Sequence, residues 1–126
     1  MEVSRIKTPA TIEELIALLM DENVQEFNRQ RPEGEIDLSG ADLEGLDLSG
    51  VDLSGANLRE MSLCDTNLSG ASLKEADLFG VDLFDSTLEG VDFRDVDTLF
   101  SSNLWGARGL SEEQKLVILD QLKKSW

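Results

Sequence analysis

Residues 36 to 95 read IDLSG ADLEG LDLSG VDLSG ANLRE MSLCD TNLSG ASLKE ADLFG VDLFD STLEG VDFRD, twelve five-residue units without a break. The third position is leucine eleven times and then Phe93. The first is Ile, Ala, Leu, Val, Met, Thr or Ser, and the second is always Asp, Asn, Ser or Thr. An internal repeat of this kind dictates the architecture ahead of any other signal. In extended backbone the first and third positions share a face, and here both are mostly apolar, so that face points inward. From a third position to the next first position is an odd step, so a straight strand would throw the following apolar pair outward. The chain must therefore turn a corner in every unit. Gly, Glu or Asp at the fifth position marks that corner, where glycine tolerates unusual angles. The second-position Asp, Asn or Ser can hydrogen-bond backbone near the turn. A helix is excluded, because a period of five matches no helical face and Gly and Asp recur too often.

Outward from the repeats, Pro9 ends a loose lead over residues 1–10. Thr11 with Glu14 forms a capping-box pair. Ile12, Leu15, Ile16 and Leu19 make one helical stripe, and Asp21 to Asn23 interrupt it. Val24 and Phe27 suggest a second short helix that stops before Pro32. After Asp95 the pattern decays, and Ser102, Asn103 and Leu104 resume it one residue out of step. Ser111 with Gln114 is another capping box. Beyond it Leu116, Ile118, Leu119, Leu122 and Trp126 form an apolar helical stripe. The expected organisation is an N-terminal helical cap over 1–35, a repeat solenoid over 36–109 and a C-terminal capping or dimerisation helix over 110–126.

The run of A(D/N)LxG-like units resembles the pentapeptide-repeat family. EFNRQR before the first unit and NLWGARGLSEEQ after the last look like segments that bracket such solenoids. The resemblance implies an all-β solenoid, a right-handed quadrilateral β-helix of about three to four coils with four units per coil. Four core columns follow: Leu38, Leu58 and Leu78; Leu43, Leu63 and Leu83; Leu48, Leu68 and Leu88; Leu53, Leu73 and Phe93. Thr66 and Ser86, the two hydroxyls at first positions, are twenty residues apart. On a four-sided coil they stack, where each is expected to satisfy the other. The resemblance also implies dimerisation near the C-terminus.

Charge is lopsided, with 26 acidic against 11 basic residues and a net of −15. Such a surface repels phosphate backbones and anionic membranes, so neither direct nucleic-acid nor membrane binding is expected. A partner selected by electrostatics should be a protein with a basic surface. The chain has no His and a single cysteine, Cys64, which rules out an internal disulfide and removes the usual zinc ligands and bases. No basic-then-apolar leader is visible, and a cytoplasmic location is expected.

Residues 36–97 hold 15 acidic and 3 basic residues. Asp37, Asp42, Asp47, Asp52, Asp77, Asp82 and Asp92 define the candidate acidic faces. Over three to four coils this approaches the charge density of DNA, roughly one charge per 1.7 Å. Members of the resembled family that protect type II topoisomerases are thought to mimic DNA, which makes a gyrase-binding mimic the alternative function. Second-position carboxylates that only brace turns explain the same residues. Asn57 relieves repulsion in the column of Asp37, Asp77 and Asp97. No carboxylates fall at EF-hand spacing, no nucleophile has a base beside it, and a solid core leaves no obvious pocket, so no metal, cofactor or catalysis is expected. Fourth positions point outward. Phe79 and Phe84 break their polar pattern, on adjacent faces of the second and third coils, with Leu99 and Trp105 extending the patch. Together with Ile118, Leu122 and Trp126 on the last helix they are the candidate interaction surface. Cys64 is also a fourth-position residue, expected to be exposed and, beside Glu44, Glu60 and Asp65, unreactive. The leading expectation is a non-catalytic interaction or scaffold module, with a homodimer among its options.

Overall fold

In a computed structural model, which describes residues 9–123, the repeats pair in parallel at an interval of twenty residues. Asp37 bridges Asn57, Asp42 bridges Ser62, Asp47 bridges Asn67 and Asp52 bridges Ser72, and the same ladder continues through the next coil. Four units therefore complete one circuit, and we number the four sides one to four from residue 36. Each unit bonds both neighbours. The Leu38 N–H donates to the Asn57 carbonyl at 2.9 Å, the Gly40 N–H to Arg59 at 2.9 Å, and the Asn57 N–H to Ile36 at 2.8 Å. The corner is closed by a bond from the next first position, such as Ala41 N–H to the Leu38 carbonyl at 3.2 Å.

Every fifth position from Gly40 to Asp95 has positive φ, whether it is glycine or one of Glu60, Asp65, Glu75, Asp85 and Asp95. The corner sets this backbone sign, and glycine only relaxes it. Inside, all twelve third-position side chains are buried. They are joined by first positions such as Val51, Met61 and Val91, while Ala41 and Leu46 in the first coil stay half-buried. Burying each leucine contributes about 1.5–3 kcal/mol. Thr66 and Ser86 are buried in register, but they do not bond each other. Thr66 donates to the Leu43 carbonyl at 3.0 Å and Ser86 to the Leu83 carbonyl at 2.7 Å, because a corner carbonyl lies nearer than the hydroxyl a rung away.

Above Asp97 the interval becomes twenty-one, with Asp82 opposite Asn103 and Thr87 opposite Arg108. The extra residue is taken up by a 3₁₀ turn, Leu99–Ser101, entered through Thr98 in the left-handed region. This is the out-of-step resumption expected at Ser102.

Two helices close the N-terminal end: α1, Ile12–Met20, and α2, Val24–Gln30. Thr11 and Glu14 form a full capping box, and Glu22, with positive φ, breaks the two helices apart. Leu15, Leu19 and Phe27 join the solenoid core. The first coil has no rung beneath it, so its downward backbone groups need other partners. Side chains supply them. The Asp47 N–H donates to the Glu22 carboxylate, and the Asp52 N–H to Asn28 Oδ1 at 2.8 Å. Asn28 Nδ2 donates to the Gly50 carbonyl, and Arg31 Nη1 donates to the carbonyls of Asp52 and Ser54, both at 2.9 Å. At the other end lies α3, Glu112–Lys123, begun by the Ser111 and Gln114 capping box. Gln114 Nε2 also donates to the carbonyls of Leu88 and Val91 at 2.9 and 3.0 Å. Ile118 packs into the core. Among the described residues no helix is long and apolar enough to cross a membrane.

Candidate interaction surface

The second-position side chains are bound to their own corners. Asp37, Asp42, Asp47, Asp52, Asp77, Asp82 and Asp92 each accept the backbone N–H two residues on through Oδ1, at 3.0–3.2 Å. Asn57, Asn67 and Asn103 do the same. The Ser39 and Ser49 hydroxyls, and then their N–H groups, hold Asp37 and Asp47 below the ordinary carboxylate range. Arg94, at 2.7 Å, does so for Asp92.

In two of the second-position columns charge alternates with neutrality: Asp42, Ser62, Asp82 and Asn103 on side two; Asp52, Ser72 and Asp92 on side four. Like charges in those two columns thus stand two rungs apart. Where Asp77 and Asp97 do adjoin, Asp77 receives Arg59 Nη1 at 3.2 Å and the Thr98 hydroxyl. The relief noticed at Asn57 therefore recurs at Ser62 and Ser72.

The fourth positions form the outer columns. Side one carries Ser39, Arg59 and Phe79. Side two carries Glu44, Cys64, Phe84 and, through the shifted register, Trp105, whose carbonyl accepts the Asp85 N–H at 2.9 Å. Phe79 and Phe84 thus occupy neighbouring faces of one coil, the third, and not of the second and third. Phe79 is half-buried, with the Arg59 guanidinium 4.5 Å from its ring centroid. Phe84 is 37% and Trp105 76% exposed.

Three further expectations need correction. Leu99 is buried, because the 3₁₀ turn swings it inward beneath α3. Ile118 is buried as well, and Leu122 is half-buried against the core, because Gln114 anchors that face of α3 on the coil. The outward apolar residues of α3 are Leu116 and Leu119, 67% and 52% exposed. The helical stripe contained both sets, and the hydrogen-bonding of Gln114 selects between them. Trp126 lies outside the described residues. Cys64 is half-buried and not exposed; burial first, then Asp82, pushes its thiol above the ordinary range, with Glu44 adding to the effect.

The flanks create open clefts that the repeat alone does not imply. One, about 430 Å³, lies beside α2 between Arg31, Gly34, Asp52 and Ser54. Another, about 440 Å³, lies under α3 against Phe93, Arg94, Gln114 and Val117. Among the described residues no group of three or more acidic or cysteine side chains is arranged to hold a metal ion.

The family model for pentapeptide repeats matches eight copies across residues 35–70, 47–83 and 62–97. Among solved structures, alr5209, a pentapeptide repeat protein from Nostoc PCC 7120, is 34% identical, with a TM-score of 0.62, over 80% of this chain and 78% of its own. AT2G44920, a pentapeptide repeat protein of the Arabidopsis thaliana thylakoid lumen, is 25% identical with a TM-score of 0.42, over 71% and 77%. HetL, involved in heterocyst differentiation regulation in Nostoc PCC 7120, is 29% identical with a TM-score of 0.37, over 69% and 41%. No curated protein matches the sequence.

Proposed function

The chain belongs to the pentapeptide-repeat family, and on that premise we propose that it is a non-catalytic interaction module whose right-handed four-sided coil offers an acidic surface to a basic protein partner. One observation carries the reading. Trp105 stands largely in solvent one rung above the exposed Phe84, on a surface otherwise built of carboxylates and hydroxyls. Large exposed aromatics in a polar field are what binding energy concentrates on. Capture from cells of the source organism tests it, with wild-type protein and the Phe84→Ser/Trp105→Ser variant as bait. A partner held by the first and lost by the second is expected. An identical set of captured proteins sinks the reading.

A second reading is favoured by Leu116 and Leu119, which face outward from α3: two copies pair through that helix. Sedimentation should then show a dimer that Leu116→Gln/Leu119→Gln converts to monomer; wild-type protein monomeric at every concentration excludes it. The alternative of DNA mimicry loses support from the column pattern. DNA presents unbroken rows of like charge, whereas in the second-position columns of sides two and four neutral residues separate the aspartates, and only pairs such as Asp65 and Asp85 stack directly.

A further inference from the structure

Charge is distributed unequally around the coil. Side one carries Asp37, Glu60, Asp77 and Asp97 with Arg59; side three carries Asp47 and Glu89 with Arg108. Side four balances its four acids with Lys74 and Arg94. Side two holds Asp42, Glu44, Asp65, Asp82 and Asp85 and no basic residue at all. The same side carries the exposed Phe84 and Trp105. The most negative face of the coil is therefore also the most aromatic.

The neighbouring side shows what such an arrangement takes. On side one, Phe79 at a fourth position and Asp77 at the second position of the same unit together hold one guanidinium. Arg59, a rung below, lies 4.5 Å from the Phe79 centroid and 3.2 Å from the Asp77 carboxylate. Side two repeats the pair as Phe84 and Asp82, in the next unit of the same coil. There the residue a rung below is Cys64, too short to lie across a ring. The carboxylate keeps room for another donor: Asp82 takes the Phe84 N–H and Asn103 Nδ2 on Oδ1 and meets the Cys64 thiol besides, while a carboxylate has about four acceptor sites.

We infer that side two is the docking strip for an extended, arginine-bearing segment of a partner protein, with a guanidinium lying on Phe84 against Asp82 and the segment continuing over Trp105. This rests on the interaction-module reading and names the face and the chemistry of what it receives. Arginine fits better than lysine, because its planar group stacks on a ring while its edge pairs with a carboxylate. The strip supplies in five carboxylates the field that draws such a segment in.

The test is fluorescence anisotropy with a labelled, blocked peptide of alternating arginine and glycine, beside its lysine and citrulline counterparts. Wild-type protein should bind the arginine peptide best, and the citrulline peptide not at all. Cys64→Arg, which puts an internal guanidinium where Arg59 stands on side one, should weaken binding about fivefold or more. Phe84→Leu, which keeps apolar bulk without a ring, and Trp105→Ser should each do the same. Asp47→Asn/Glu89→Gln removes two charges from side three and should leave binding within twofold. The inference is overturned if the side-three variant weakens binding as much as the side-two variants, or if wild-type protein ignores the arginine peptide or binds citrulline equally. None of those outcomes touches the interaction-module reading, which stands or falls on the cell-capture comparison.

Discussion

The two ends of the coil face the same problem and meet it differently. A β-solenoid stops with backbone donors and acceptors pointing at nothing, and with the end of an apolar column open to water. At the N-terminal end Glu22, Asn28 and Arg31 imitate a missing rung, pairing two N–H groups and three carbonyls of residues 47–54. Leu15, Leu19 and Phe27 seal the column beneath. At the C-terminal end Gln114 pairs two carbonyls and Ile118 reaches the core. There Leu104, Ala107 and Leu110 remain half-buried, and Trp105, Leu116 and Leu119 face outward. The lesson is that one end is finished mainly by polar mimicry, with Met20 alone among its large apolar residues exposed, while the other keeps an apolar rim of Trp105, Leu116 and Leu119.

The largest expected effect comes from opening the finished end. Phe27→Ala should cost about 3–5 kcal/mol by leaving a cavity under the first coil, read by urea denaturation. Next come the two polar plugs, measured against each other. Arg31→Ala strands four carbonyls, those of Pro32, Gly34, Asp52 and Ser54, that a buried guanidinium now serves, and should cost about 3 kcal/mol; Gln114→Ala should cost about 1–2 kcal/mol. Equal losses would erase the distinction between the ends. A baseline comes from the middle of the coil, where Glu75 sits at φ 63°. Glu75→Gly relieves about 1–2 kcal/mol of left-handed strain against about 0.5–1 kcal/mol of added chain entropy. It should stabilise slightly, visible as a small rise in melting temperature.

The smallest effect is on pH. Asp37 and Asp47 in the first coil and Asp92 in the third have lowered pKa values. A carboxylate more acidic when folded than when unfolded adds stability above its unfolded pKa, near about 4. That contribution is lost as pH falls through the folded value. Melting curves should therefore lose ground below about pH 4, and Ser39→Ala/Ser49→Ala should soften that loss.

Much of the fold was legible because a five-residue step forces its own geometry. The corner at each fifth position, the turn-bracing aspartates, the helix break before Val24 and the slip at Ser102 all follow from local spacing. What escaped the sequence depended on distances across the coil. Thr66 and Ser86 stack as the period requires, yet their hydroxyls find corner carbonyls first. Leu99 follows the fourth-position rule until one inserted residue rotates it inward. The apolar stripe of α3 was correct, but which half faces the coil is decided by the anchor at Gln114, a contact spanning more than twenty residues. Exposure was therefore legible at Phe84 and Trp105, where register alone settles it. It was misread wherever a flanking element had to be placed.

The spacing of aspartates carries an evolutionary constraint. Excising residues 56–75 would remove one full circuit and leave the backbone connection intact, so topology alone permits it. Electrostatics oppose it: Asp37 would land on Asp77, Asp42 on Asp82 and Asp52 on Asp92. Each pair would then lie about 4.8 Å apart, at about 1 kcal/mol of repulsion even in water. Losing a single circuit would therefore call for compensation of the kind that Arg59 and Thr98 give Asp77 beside Asp97.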